Sequence, residues 1–330
     1  MWQRSKTLIV LVLGLLISHQ AVASSAWDSY KTRFLMADGR IIDTGNNSVS
    51  HTEGQGFAMM MAVRNNDRAG FDKIWTWTKK NLQNPQTGLF YWRYNPVAAD
   101  PITDKNNATD GDTFIAWALL KAGTQWNDSN YLNASDAITK ALVARNVISF
   151  GGYRVMLPGA KGFNLNSHVT LNPSYFVFPA WEDFAQRSHL TVWRELINDG
   201  QKLLVKMRFG NTQLPADWVS LSADGRMVPA KEWPARFSYD AIRVPLYVKW
   251  YDKTSPLMAP YTAWWGRFAR NQTPAWVNIT TNDPAPYMME GGLLAVRDLA
   301  MGQLPAGEPQ ITTQEDYYSA SLKMLVSLAK

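Results

Sequence analysis

The sequence predicts an all-α fold of two nested helical layers, an α/α barrel. Helical periodicity dominates the chain, while strand-like alternation is scarce. Helices apolar on every side, such as Phe57 to Val63, alternate with helices apolar on one side, such as the run holding Phe71, Ile74, Trp75, Thr78 and Leu82. A helix with no polar face must be enclosed, so the alternation reads as an inner set wrapped by an outer one. The chain is also long enough to close the ring: it has 330 residues, 46% of them hydrophobic, and no linker or low-complexity tract divides them. About twelve helices in roughly 300 residues would suffice for one domain of this kind. The alternative, an open solenoid, calls for a repeat of roughly 20–50 residues, and none is sharp here.

The elements follow in order. Arg4 and Lys6, then Leu8 to Ile17, then Ala21-Val22-Ala23 have the basic, apolar and small-residue parts of a secretory signal peptide. Residues 1–23 are therefore expected to leave near Ala23, and residues 24–330 to form a single exported domain, periplasmic or secreted. No membrane anchor is expected, because the apolar run is shorter than the roughly 20 residues a span requires. Trp27, Tyr30 and Phe34 mark the first helix; Phe57 to Val63 is the second, and Phe71 to Leu82 the third. The fourth opens at Asn107-Ala108-Thr109-Asp110-Gly111-Asp112 and runs apolar to Gly123. Further helices fit Tyr131 to Val147, Pro173 to Arg187, Leu190 to Arg208, Ser238 to Asp252, Pro256 to Asn271, Met288 to Met301 and Gln314 to Ala329. Ser149 to Gly159 and Asp217 to Pro229, the latter with an Asp224-Gly225 turn, read as short β-hairpins decorating the loops.

Composition narrows the chemistry. With no cysteine, neither disulfides nor thiolates are available to an exported chain, so stability must come from core size. The net charge of +6, smaller once Arg4 and Lys6 leave, comes with no basic run, and nucleic acid is not implied. Fifteen tryptophans suit a neutral polymer on which rings can stack, although many of them must be core. His19 leaves with the signal, and His51, His168 and His189 lack the spacing of a zinc site. No G-x-S-x-G elbow is present, and Gly54-Gln55-Gly56 lacks the third glycine and the strand of a dinucleotide fingerprint. No metal or cofactor is expected, which leaves carboxylates.

Three segments carry them. Asp110 and Asp112 open a helix that must be buried, so they face either a packed interior or a cleft; the simpler reading makes Thr109 or Asp110 the N-cap and Asp112 a partner of the helix dipole. Glu53, in Ser50-His51-Thr52-Glu53-Gly54-Gln55-Gly56, completes a capping box with Ser50 on the simpler reading. The two glycines argue otherwise, because they lower helix propensity and allow a ligand near the backbone. Desolvation beside an apolar helix favours a protonated carboxyl, as a proton donor requires. In Phe237-Ser238-Tyr239-Asp240-Ala241-Ile242-Arg243, Asp240 and Arg243 lie three apart on one helical face, a local ion pair that would also hold Asp240 ionised as a base must be.

Together the ATDGD helix through Ala116, Ala122 and Trp126, the Glu53 segment and the Asp240-Ala241-Ile242-Arg243 segment resemble family 8 of the glycoside hydrolases, in particular the bacterial endoglucanases associated with cellulose synthesis. The similarity runs in order over nearly all of residues 24–330. It implies an (α/α)6 barrel and hydrolysis of β-1,4-glucan with inversion; the protein is expected to be a monomer. On that pattern Glu53 is the general acid, Asp110 binds and distorts the sugar at the cleavage point, and Asp240 is the general base. Tyr175, in Asn172-Pro173-Ser174-Tyr175, helps place the attacking water, Arg243 flanks the base, and Trp92 stacks on a sugar or, on the simpler reading, belongs to the core. The resemblance also implies work near a cellulose synthase. Mixed-linkage glucan, xylan and chitosan remain open as substrates, as do a non-catalytic glycan binder and a lyase acting on an acidic polymer.

Overall fold

The computed structural model describes residues 25–330, and the expected signal peptide lies outside the described residues. Eleven α-helices occur there: α1 (Ala26–Phe34), α2 (Thr52–Arg64), α3 (Arg68–Leu82), α4 (Thr109–Gln125), α5 (Ser129–Asn146), α6 (Phe178–Ser188), α7 (Thr191–Lys206), α8 (Arg243–Tyr251), α9 (Ala259–Trp265), α10 (Gly291–Met301) and α11 (Tyr317–Leu328). Their neighbours define the layers. Helices α2, α4, α6, α8, α10 and α11 pack each on the next, and α11 returns to α2, closing an inner ring. Outside it, α1 lies on α11, α3 on α2, α5 on α4, α7 on α6 and α9 on α10. The architecture is an (α/α)6 barrel in which the outer position between α10 and α11 holds no helix. Residues 302–316 run there instead, and Gly302, Pro305, Gly307 and Pro309 account for it, since neither residue type sustains a helix interior.

All eleven expected helices are present, with three late or short boundaries. α6 starts at Phe178 rather than Pro173, because Pro173–Tyr175 forms a separate 3-10 turn and Pro179 is tolerated only in a first turn. For the same reason α8 begins at Arg243, two residues before Pro245, and not at Ser238. α9 is confined to seven residues, with Pro256–Met258 again a 3-10 turn. The paired helices are held by aromatic packing, with Trp181, Trp193 and Trp265 fully buried. Much of the tryptophan content therefore serves the core.

Among the described residues, nine short strands decorate the loops: β1 (Ser50–His51), β2 (Arg93–Tyr94), β3 (Val147–Phe150), β4 (Tyr153–Met156), β5 (His168–Leu171), β6 (Val219–Ser222), β7 (Met227–Pro229), β8 (Arg236–Phe237) and β9 (Val277–Asn278). The two expected hairpins are β3–β4, turning at Gly151-Gly152 with both φ positive, and β6–β7, turning at Asp224-Gly225. β5 adds a third strand to β6, and the β1–β2 and β8–β9 ladders are only two residue pairs long, too short for any alternation to show in the sequence. Among the described residues no helix is long and apolar enough to cross a membrane.

Candidate active site

The N-terminal ends of five inner helices converge on one cleft of about 540 Å³. Thr52 and Glu53 come from the start of α2, Ala108 and Asp110 from α4, Tyr175 from the turn ahead of α6, Tyr239, Asp240 and Arg243 from α8 and the turn before it, and Asp316, Tyr317 and Tyr318 from α11. Unpaired N–H groups make such ends favourable for carboxylates. Glu53, Asp110, Asp240, Tyr175, Arg243 and Trp92, dispersed over 190 residues of sequence, all line this cleft.

Helix packing places the first two acids. A Cβ on Gly56 would lie 2.6 Å from Phe114 Cβ, and one on Gly111 would collide with Thr52 Oγ1 and come within 2.8 Å of the Glu53 nitrogen. The first turns of α2 and α4 therefore touch backbone to backbone. Gly54 is covered by the Tyr317 ring, whose hydroxyl would be 2.6 Å from an added Cβ. This corrects the expectation that the glycines admit a ligand: they admit a helix and a tyrosine. Nor do the capping readings of the two motifs hold, although Asp110 and Asp112 do stand in the first turn of α4. The N-cap of α2 is His51 and that of α4 is Ala108, neither with a side-chain capping bond, while Ser50 Oγ donates to the Ile41 carbonyl. Asp112 is wholly buried, accepting from Phe90 N–H at 2.9 Å and Asn107 Nδ2 at 2.7 Å. It locks the preceding loop onto α4 and does not line the cleft.

A single buried guanidinium joins the acids. Arg243 Nη1 donates to Glu53 Oε2 and lies 3.5 Å from Asp110 Oδ2, while Nη2 donates to Asp240 Oδ1 at 2.8 Å and to Ser174 Oγ at 3.0 Å. The expected ion pair of Asp240 with Arg243 is present, but the arginine is not the base's alone. Glu53, with 18% of its side chain exposed, also accepts from Tyr317 Oη at 3.1 Å, so it is anchored to polar partners rather than resting on apolar α2.

Asp240 retains 34% of its side-chain exposure at the cleft wall, yet desolvation still pushes its carboxyl above the usual range, against the lowering effect of Arg243. Burial outweighs the arginine, contrary to expectation. Asp110, 6% exposed, is pushed up to about 7, first by desolvation, with Arg243 opposing and the Glu53 charge adding. The Tyr175 hydroxyl, its pKa raised by burial and by Asp110 and Asp240, remains a proton donor.

Asp240 does not sit on a helix. It belongs to a turn held by Asp217, whose Oδ1 accepts from Ser238 N–H at 2.9 Å and Ala241 N–H at 2.8 Å and whose Oδ2 accepts from Ser238 Oγ. Trp218 Nε1 donates to Asp240 Oδ2 at 3.2 Å, and its ring is stacked between Phe163 and Trp233, at centroid distances of 5.8 and 4.5 Å. Asp217, Trp218 and Tyr317 escaped the sequence reading. The available signal was an Asp-Trp pair heading the β6–β7 hairpin, a place where neither side chain has a local partner. Trp92 is half-buried at the cleft wall, stacked on His51 at 5.8 Å and 10°, with Nε1 donating to Asp104 Oδ2 at 2.8 Å. It is not a core tryptophan.

Two carboxylates on different amino groups of one guanidinium, a third acid 3.5 Å from the same arginine and a ring at the wall are an arrangement able to carry acid–base chemistry on a glycosidic bond. Known proteins resemble this chain in sequence and fold. The family model described as glycosyl hydrolases family 8 matches residues 2–330. An endoglucanase from Cellulomonas uda is 58% identical over 311 residues, covering 94% of this chain and 86% of its own. A crystal structure of a family 8 endo-β-1,4-glucanase from an Achatina fulica gut metagenomic library superposes with a TM-score of 0.92 at 65% identity, covering 94% of this chain and 98% of that one. An endo-β-1,4-glucanase from Acetobacter xylinum superposes at 0.88 with 40% identity, covering 92% and 96%. Matched along its whole length and sharing the barrel, this chain belongs to family 8 of the glycoside hydrolases.

Proposed function

We propose that this protein is an endo-acting β-1,4-glucanase that cleaves cellulose-type chains with inversion, Glu53 being the general acid and Asp240 the general base. The observation that carries this reading is the placement of Glu53 and Asp240 on different amino groups of Arg243. The guanidinium keeps the carboxyls from sharing a proton and leaves separate faces for the leaving oxygen and the water. Glu53 delivers its proton to the departing glycosidic oxygen while Asp240 takes one from water attacking the opposite face of the sugar. Asp110 accepts a hydroxyl of the sugar at the cleavage point, Tyr175 donates toward the water, and Trp92 stacks on a ring farther along. Endoglucanases among the relatives support the choice of glucan.

The protein acts as a monomer, exported after loss of residues 1–23 to the periplasm or the medium, and works beside a cellulose synthase. The signal-like sequence supports the export. The cleft lining argues against a lyase on acidic polymers, since five acids, Asp43, Glu53, Asp110, Asp240 and Asp316, share it with Arg243 and His51 as the basic residues. The same acid excess favours chitosan as a second substrate, because a cationic polymer is attracted to it. Reducing-sugar release from carboxymethylcellulose, lichenan, xylan and chitosan tests the reading. The expected order puts carboxymethylcellulose first; preference for chitosan or xylan reassigns the polymer, and binding without release from any of them overturns the enzyme.

A further inference from the structure

The turn that carries Asp240 is continuous with an aromatic surface outside the reacting centre. β8 ends three residues before Asp240 and pairs with β9, Arg236 facing Asn278 and Phe237 facing Val277. The chain after β9 doubles back on itself through the bridges of Val277 to Pro284 and Pro274 to Met288, which brings Tyr287 alongside Trp276. Trp276 Nε1 donates to Tyr287 Oη at 3.0 Å, and the Tyr287 and Tyr239 hydroxyls are 3.0 Å apart. The Arg236 guanidinium lies 3.8 Å from the centre of the Trp276 ring and braces it from one side. Tyr239 in turn meets Tyr318 edge to face at 6.5 Å, and both of these line the cleft.

Exposure is concentrated here. Among the described residues, Tyr239 is 43% exposed, Tyr287 48% and Met288 42%, three of the nine large apolar side chains left most open to solvent; the first two are hydrogen-bonded to each other and Met288 follows Tyr287 in the chain. The other six are dispersed along the chain. A hydrogen-bonded row of rings, fixed to a β-ribbon and running out from the cleft, presents flat apolar faces beside hydroxyls. Those are the two features that a β-linked glucose ring matches with its C–H face and its equatorial hydroxyls.

We propose that Tyr287 and Trp276, approached through Tyr239, form a distal subsite that holds a glucan chain after it leaves the cleft on the Asp240 side. The proposal rests on the β-1,4-glucanase reading, and it makes the β8–β9 ribbon serve both the base and the chain beyond it. Such a subsite is filled by long substrates and left empty by short ones. The test is the ratio of kcat/KM on cellohexaose to that on cellotetraose, for wild type, Tyr287→Ala, Tyr287→Phe and Trp276→Ala. Tyr287→Ala should lower this ratio about 2- to 10-fold, the range expected for losing one aromatic contact, through KM on the hexaose, and Trp276→Ala should do likewise. Tyr287→Phe keeps the ring and should keep most of the ratio. A ratio unmoved by either alanine variant overturns the subsite. Loss of the ratio in Tyr287→Phe equal to that in Tyr287→Ala also overturns it, and leaves Tyr287 as a hydroxyl brace for Tyr239. Wild-type protein that cleaves neither oligosaccharide overturns the glucanase reading itself, and this proposal with it.

Discussion

The acid and the base are positioned by different means. Glu53 and Asp110 ride on the first turns of α2 and α4, and those turns are fixed by close contact between the helices at Gly56, Phe114, Gly111 and Thr52. Asp240 rides on a non-helical turn whose shape is set by hydrogen bonds to Asp217 and Trp218 from the head of β6. Packed helices are stiff because a shift of either one meets backbone atoms. A turn held by a few polar contacts moves when any one of them is lost. The backbone that carries the proton donor should therefore be insensitive to the loss of single polar contacts, while the base should respond to residues that never touch the substrate.

The largest expected effect tests the helix-borne side. Glu53→Gln keeps the shape of the side chain and its contact with Arg243, so the melting temperature should stay near wild type while turnover falls by roughly 10²–10⁴, as for other general acid–base groups. A folded variant with near-normal turnover would remove Glu53 from the role of acid.

The next effect tests the turn. Asp217→Ala strips the acceptor from two backbone N–H groups, and a displaced turn can cost up to about 10² in turnover, here in kcat more than in KM. Asp217→Asn retains an oxygen for both N–H groups and should recover most of the activity. Equal damage from both variants would mean that the charge of Asp217, rather than its hold on the turn, is what matters.

These two halves of the site were unequally legible in the sequence. Glu53 and Asp110 stand in continuous motifs, because a helix start writes its role in neighbouring residues, and the apolar runs after them announced burial. Asp217, Trp218 and Tyr317 act across the fold, with partners brought close only by the β-ribbons and the closing of the ring at α11. No periodicity or local spacing encodes such a contact. The barrel itself was legible because alternation between buried and one-sided helices is a local property. The empty outer position was readable in principle from Gly302, Pro305, Gly307 and Pro309, and the helix count of eleven anticipated it without explaining it.

The smallest effect separates two acids two residues apart on α4. Asp110 faces the cleft, whereas Asp112 is sealed beneath it and is pushed up to about 8 by desolvation, against its hydrogen bonds from Asn107 and Phe90. In the unfolded chain it would titrate near 3.9. The folded protein thus keeps a proton that the unfolded chain releases, so this contribution to stability is complete below about pH 4 and is lost as pH rises toward 8. Asp112→Asn cannot ionise and should flatten the decline of melting temperature between about pH 5 and pH 8. A slope unchanged from wild type would show that Asp112 is not the group responsible.

Inversion requires water standing between Asp240 and the sugar, with Glu53 on the other face. Inverting enzymes hold their two carboxyl groups roughly 6.5–9.5 Å apart, whereas retaining ones bring them to about 5–5.5 Å for direct attack. The measurement that decides is proton NMR of the first product released from a β-1,4-glucan oligosaccharide, read before mutarotation. Inversion releases the α-anomer first; early appearance of the β-anomer would contradict it and remove Asp240 from its role as a base acting through water.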